Sequence, residues 1–261
     1  MSATTTATYK HIELAIEDSV ATLTLNRPDY NVLNIEMMAE INTALESLDA
    51  GAELKALVIR AAGKVFSAGV DIAEHTDELA EEMIETFHKM FRLLDVFEAP
   101  TIALVNGAAL GGGCELALFC DMVIASEKAK FGQPEIKVGV FPPIAVLNMP
   151  KLMSLSGAYE FVLSGENWKA DELYRRGVVN HVYPVDSFAE DSSAFVRGIT
   201  SNSAVVLRLT KKALKMGLGR EFLTALPEVE DSYLQELMQS SDALEGLAAF
   251  MEKRDPKWTN R

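Results

Sequence analysis

Twice in this chain an apolar run passes through small residues straight into a helical segment: at Phe66-Ser67-Ala68-Gly69-Val70-Asp71, and at Gly107-Ala108-Ala109-Leu110-Gly111-Gly112-Gly113-Cys114-Glu115. A join of this kind reverses the chain within a few residues, so it commits its surroundings to strand, tight turn, helix and return. The flanking sequence agrees. Ile12, Leu14 and Ile16 alternate, as do residues 22–25, with Glu17-Asp18-Ser19 between them, which predicts an antiparallel hairpin. Ile35, Met38, Ile41, Leu45 and Leu48 recur at helical spacing, Gly51 offers a stop, and Ala56-Leu57-Val58-Ile59 reads as a buried strand.

A long amphipathic helix carrying Met83, Ile84, Phe87, Met90, Phe91 and Leu94 ends by Pro100, and residues 101–105 form the next buried strand. After the glycine run come a short helix over 112–119, a strand over 122–125 and a short strand at 130–131. Strands alternating with helices imply an α/β fold with crossover connections. From about Val185 the pattern is almost wholly helical, with Val205, Leu209, Ala213 and Met216 on one face and Leu234, Leu237 and Met238 on another. The expected organisation is an α/β core over residues 1–195 and a helical region over 196–261 that covers the core or meets a neighbouring subunit.

Charge narrows the partners. Lys plus Arg number 24 against 38 Asp plus Glu, a formal net charge of −14 that repels a polyphosphate at long range. Nucleic acid is a poor partner; an anionic small molecule is acceptable where a few cations and backbone N–H groups surround it. Cys114 and Cys120 are six apart in what reads as one helix, on diverging faces, and are expected to be reduced packing residues. Residues 1–8 have neither a basic nor an apolar signal region, so a cytoplasmic protein is expected. Asn106, Glu115 and Asp121 interrupt the apolar stretch from Thr101 to Ala125, which argues against a membrane span.

The two small-residue loops are also the best candidates for chemistry. Glycine lets the backbone approach a ligand, and the first N–H groups of a helix lack intrahelical acceptors. Two such groups aimed at one point form an oxyanion hole, each donor being worth on the order of 100- to 1000-fold in rate. Tight helix-on-sheet packing explains either loop equally well. No Gly-Lys-Ser/Thr follows the glycine run, and Leu116 stands where a dinucleotide fingerprint needs its third glycine. Glu115, at an otherwise apolar helix start, and Glu135, in a turn after Phe131-Gly132-Gln133-Pro134, are candidate proton-transfer groups if apolar surroundings raise their pKa. A dipole-complementing role for Glu115 and a surface-turn role for Glu135 remain open at this point. His11, His75, His88 and His181 have no metal-ligand spacing, although His75 is close enough to the first loop to line a pocket, and Ser67 lacks a nucleophile elbow.

Taken together, residues 67–71, the run Asn106 to Leu116 and Phe131-Gly132-Gln133-Pro134-Glu135 resemble the enoyl-CoA hydratase (crotonase) family. The likeness extends from Leu25-Asn26-Arg27-Pro28 to Ala249-Phe250-Met251-Glu252-Lys253-Arg254, nearly the whole chain. It implies a crotonase-like spiral of ββα units, a C-terminal helical trimerisation region, a homotrimer or a homohexamer built as a dimer of trimers, and an acyl-CoA substrate with no metal and no separate cofactor. Carried over by motif, the backbone N–H groups of Ala68 and Gly112 hold the thioester oxygen. Glu115 activates the water and Glu135 delivers a proton to the acyl chain. Ser67, Gly69, Val70, Asp71, His75, Phe141 and Pro142 would surround the substrate; Phe250 and Lys253 would reach CoA held mainly by a neighbouring subunit, and Arg27 its nucleotide end. Double-bond isomerisation in the same pocket, or a non-catalytic RNA-associating role, are the alternatives the scaffold allows.

This chain departs from the family pattern twice. The Lys often found two residues after the first-loop Asp is Ala73 here, so other cations must meet the CoA phosphates. Where a common hydratase pattern has Pro-Gly-Ala-Gly-Gly-Thr-Gln-Arg, this chain reads Phe141-Pro142-Pro143-Ile144-Ala145-Val146-Leu147-Asn148, so the acyl pocket is expected to be reshaped. Phe141-Pro142-Pro143, with residues 68–71 and His75, is similar to the branch that hydrates cyclohexa-1,5-diene-1-carbonyl-CoA.

Overall fold

The computed structural model describes residues 5–48 and 54–260; Gly51, the expected helix stop, lies outside the described residues. Strands β1 (Thr5–Thr8), β2 (Ile12–Glu17) and β3 (Val20–Leu25) form an antiparallel meander whose second turn places Asp18 and Ser19 at positive φ. Helix α1 (Ile35–Ser47) begins where the Asn34 side chain accepts a hydrogen bond from the Met37 N–H, and buries Met37, Met38, Ile41 and Leu45. The chain continues through β4 (Ala56–Ala61), α2 (Ala80–Val96), β5 (Thr101–Val105), β6 (Ala108–Leu110), α3 (Gly112–Phe119), β7 (Met122–Ser126) and β8 (Lys130–Gly132). A 3-10 turn over Pro134–Val138 leads to α4 (Pro143–Leu152), α5 (Leu155–Ser164), β9 (Trp168–Lys169), α6 (Ala170–Arg175) and β10 (His181–Tyr183). Helices α7 (Phe188–Thr200), α8 (Ala204–Met216), α9 (Phe222–Asp231) and α10 (Ser241–Glu252) complete it.

Seven strands form one sheet in the order β1-β2-β3-β4-β5-β7-β10, parallel from β3 onward, and β6-β8-β9 form a second. The repeat is legible in the order of elements: a strand in the large sheet, a short one in the small sheet, then a helix, as in β5-β6-α3 and β7-β8 followed by the 3-10 turn. After β4 the same role is reduced to one bridge, Ser67 to Ala109. Successive turns of this spiral therefore lay the segments after β4, β5 and β7 side by side.

Alternation along the strands sorts side chains to two faces. Leu57, Ile59, Ala103, Val105, Val123 and Ala125 enter the main core with α1, α2 and α3, while Ala56, Ile102 and Ile124 meet Phe188, Phe195 and Val196 of α7. The α7 helix packs on the sheet and runs through position 196, so the helical region begins on the core itself. Helix α8 is tied to the sheet by Lys211, whose ammonium contacts Asp121 at 2.6 Å and donates to the Ala99 carbonyl at 3.0 Å.

Four of the described strands were not anticipated: β1, β6, β9 and β10. One expectation needs correction, because α3 ends at Phe119 and Cys120 is the cap residue rather than a helical one; both thiols are free and buried. Among the described residues no helix is long and apolar enough to cross a membrane.

Candidate active site

The two small-residue loops lie against each other. Phe66 and Ser67 donate to the Ala108 carbonyl at 2.9 and 3.1 Å, and Leu110 donates back to the Ser67 carbonyl at 2.9 Å. Gly113 is required by this approach, since a Cβ there would stand 2.5 Å from the Ser67 Cβ and 2.8 Å from its carbonyl oxygen. Ser67, expected among the substrate-lining residues, is instead internal: its side chain is fully buried and its Oγ accepts from the Gly69 N–H at 3.2 Å. It braces the junction of the loops and offers no surface to a ligand. Gly69 and Val70 sit at the same junction, Gly69 against Leu110 and Gly112, and Val70 against Gly112 together with Phe87.

Helix α3 starts at Gly112, so the Gly112 N–H has no acceptor within the helix, and one turn later the helix presents Glu115. Glu115 is 3% exposed, and its Oε1 accepts from the Ile144 and Ala145 N–H groups, both at 2.8 Å. These amides belong to the first turn of α4, where Pro142 and Pro143 supply no N–H, so Glu115 caps α4 from another helix. Glu135 arrives from the 3-10 turn after β8, its carboxylate against Gly111 and its Oε2 buried without a hydrogen-bond partner.

Burial pushes the Glu115 carboxyl up to about 8, against the pull of the Ala145 N–H, with the charge of Glu135 adding to the rise; burial likewise lifts Glu135 to about 7. The charge of Glu135 is thus felt at Glu115. Sequence spacing gave no reason why residues twenty apart should meet; the side-by-side stacking of the post-β5 and post-β7 segments supplies it.

The remaining candidates divide. Arg27 and Asp71 face each other at 3.7 Å, Arg27 also donating to the Val32 carbonyl at 2.9 Å. Asp71 caps the 3-10 turn Ile72–Glu74, and exposed His75 closes it, its Nδ1 3.1 Å from the Asp71 carbonyl oxygen. Pro142 is buried beside the Glu115-bound amides, whereas Phe141 is 65% exposed. Phe250 and Lys253 stand exposed on and just past α10, which packs on α8 and carries neither glutamate. Ala68 is surface-exposed, yet its N–H donates to the Tyr30 carbonyl at 2.9 Å, so of the two expected oxyanion donors one already has an acceptor.

Sequence reasoning missed Tyr30 and the amides of Ile144 and Ala145; Pro142-Pro143 ahead of an apolar run was the available sign of a helix start at the latter. A cavity of about 590 Å³ lined by Arg208, Lys211, Lys212 and Lys215 lies between the end of α2 and α8, on elements that bear neither glutamate.

The fold is thus a stacked α/β spiral that brings two carboxylates of raised pKa to a glycine-rich helix start. The chain belongs to the enoyl-CoA hydratase/isomerase family, whose model matches residues 15–261. It is 37% identical over 260 residues to a probable enoyl-CoA hydratase of Mycobacterium tuberculosis, covering 97% of this chain and all of that one. It is 36% identical over 251 residues to the cyclohexa-1,5-dienecarbonyl-CoA hydratase of Thauera aromatica, covering 94% and 95%. Among solved structures, an enoyl-CoA hydratase from Bacillus anthracis superposes with a TM-score of 0.91 at 29% identity, covering 97% of this chain and all of that one. These likenesses bear out the expected family and its spiral fold.

Proposed function

We propose that this protein is an enoyl-CoA hydratase, adding water across the double bond of an α,β-unsaturated acyl-CoA thioester. The observation that carries the reading is the pair Glu115 and Glu135, both lifted into the neutral range by burial, with the charge of Glu135 felt at Glu115. Hydration needs one base to take a proton from water and one acid to protonate the α-carbon. Two carboxyls sharing one proton hold both at once. The direct contacts suggest which is which: two N–H donors on Glu115 favour its ionised form, and the unpartnered Oε2 of Glu135 favours a protonated one. Even with those donors acting, burial leaves Glu115 the higher of the two, at about 8 against about 7. With both donors on Oε1, the other oxygen of Glu115 is left to take the water's proton.

In this reading Glu115 takes the water's proton as oxygen attacks the β-carbon, charge moves onto the thioester oxygen, and Glu135 then protonates the α-carbon. The Gly112 amide, at the first position of α3 where the helix supplies no acceptor, stabilises the developing enolate without a metal or organic cofactor. CoA binding supplies the positioning energy, with Arg27 at the CoA side.

The substrate we favour within this class is a cyclic dienoyl thioester. Pro142 and Pro143 make a stiff wall beside Glu115, suited to a ring, and the Thauera aromatica relative is named for such a substrate. Hydration rates for cyclohexa-1,5-diene-1-carbonyl-CoA against crotonyl-CoA test this, and a strong crotonyl preference ends it. A homotrimer or homohexamer belongs to the same proposal, supported by Phe222, Leu223, Phe250 and Met251, which are 70–81% exposed on the C-terminal helices. Sedimentation of a monomer would contradict it. A cytoplasmic location completes the reading, and cell fractionation tests it.

A further inference from the structure

We propose that Pro143 is a positioning residue for Glu115: lacking an N–H, it limits the start of α4 to two donors, both spent on one carboxylate oxygen, and leaves the other oxygen bare to meet the water. The inference rests on the reading of Glu115 as the base of the hydration, and goes beyond it by naming the residue that keeps the reacting oxygen open.

The donors at this helix start can be counted completely. An α-helix leaves the N–H groups of its first turn without intrahelical acceptors. In α4 the Val146 N–H donates to the Pro142 carbonyl at 3.1 Å, and Pro142 and Pro143 have no N–H. That leaves Ile144 and Ala145, and both donate at 2.8 Å to Oε1 of Glu115. The cap of α4 is thus a carboxylate supplied from α3. Any residue other than proline at position 143, the first of the helix, would add a third N–H, directed from the same helix end at the same carboxylate. Glu135, on the 3-10 turn, is among the described residues the ionisable group whose charge acts on Glu115. Its neighbour Cys114 is a buried thiol pushed well above its ordinary pKa, and residues 143–146 carry no ionisable side chain. Strands β5, β6 and β7, which pack on α3, carry none either, and α2 faces α3 with Phe87 and Phe91.

A hydrogen bond to a carboxylate stabilises its charged form and occupies a lone pair that would otherwise accept a proton. Two donors orient Glu115 and offset part of the cost of burying its charge. A third would weaken it further as a base and compete with water for the second oxygen. Proline at position 143 sets the limit between these: enough donors to fix the carboxylate, too few to quench it. A stiff wall for the acyl group, the other role of Pro142 and Pro143, depends on the rings and not on the missing donor. The two roles therefore separate by experiment.

The test gives position 143 an N–H through Pro143→Ala and Pro143→Gly. Pro142→Ala is the control, since it loses a ring at the cap, where φ −81 and ψ 106 lie outside helical geometry. Hydration of crotonyl-CoA and of cyclohexa-1,5-diene-1-carbonyl-CoA is followed as kcat/KM against pH. Both Pro143 variants are expected to move the profile to lower pH by about half a unit to one unit, whichever substrate is used, while Pro142→Ala keeps the wild-type profile. An unmoved profile in either Pro143 variant, or an equal move in Pro142→Ala, overturns the inference; a change only in the preference between the two substrates does so too, and assigns Pro143 to the wall alone. Nuclear magnetic resonance with 15N alanine reads the same point without turnover. The one amide resonance that Pro143→Ala adds is expected to titrate with the carboxylates, and a new resonance that does not titrate overturns the inference. Glu115→Gln separates the inference from the reading beneath it. If that variant hydrates as fast as wild type, both fall; if it is slow and the Pro143 variants keep the wild-type profile, the inference alone falls.

Discussion

Glu135 Oε1 lies 2.5 Å from the point that a Cβ on Gly111 would occupy. The carboxylate is seated on a bare backbone, and that seat lies one residue before the helix that presents Glu115. A methyl group at position 111 would push Glu135 away from its partner. Gly111 also has φ +51, so Gly111→Ala is expected to cost about 1–2 kcal/mol in backbone strain and to lower turnover by at least about tenfold. Gly63, at φ +78 with nothing within 4 Å of a built Cβ, is the control. Gly63→Ala should show the strain in its melting temperature and leave turnover unchanged.

Sharing one proton between the pair sets the pH dependence. Hydration requires one carboxyl charged and the other neutral, so kcat/KM should peak between about 7 and about 8 and fall on both sides. On the acid side both carboxyls are protonated and no base remains; on the alkaline side both are charged and no acid remains. A pH–rate profile checks this, and a flat profile across that window contradicts it.

Stability follows the same groups with a definite sign. Their pKa values are raised above the ordinary value of 4.5, so the folded protein binds more protons than the unfolded chain. Their favourable contribution is complete below about 4.5 and is lost as pH rises through 7 and 8. Glu115→Gln with Glu135→Gln removes the buried charges, and the double variant should exceed wild type by on the order of 1–3 kcal/mol at alkaline pH, the advantage disappearing in acid. Chemical denaturation at two pH values measures it.

The attachment of α8 separates buried from exposed charge. Lys211 is 8% exposed and bridges Asp121 and the Ala99 carbonyl, whereas Lys212 pairs with Glu236 at the surface. Lys211→Met should destabilise by about 1–3 kcal/mol, because Asp121 loses its cation and keeps only the Thr101 donors, and the Ala99 carbonyl loses the Lys211 ammonium. Lys212→Met should change stability by less than about 0.5 kcal/mol. Thermal melts of the two variants compare them directly.

Much of the fold was legible because periodicity survives where burial is one-sided or complete. The helix over Gly112–Phe119 was placed correctly, and the β2–β3 hairpin and the burial of Met83, Phe87 and Met90 on α2 followed from alternation and spacing. Strand β9 was not, since two residues, Trp168 and Lys169, carry no period; its strand nature comes from pairing with Phe131 and Lys130. At the site, Glu115 and Glu135 were legible as chemical types in apolar settings. Their approach was not, because it arises from stacked turns of the spiral. Nor could residue types reveal that Ala68 donates to Tyr30, or that Ile144 and Ala145 hold Glu115, because main-chain groups leave no mark on composition.

The most direct test follows the ultraviolet absorbance of a conjugated enoyl thioester with wild-type protein, Glu115→Gln and Glu135→Gln, each first shown to be folded by circular dichroism. Loss of conjugation with wild type, slowed by at least about 100-fold in each single variant, is the predicted result. An unchanged rate in either variant, or no absorbance change with wild type, would contradict the assignment of these two carboxyls to one proton-transfer site.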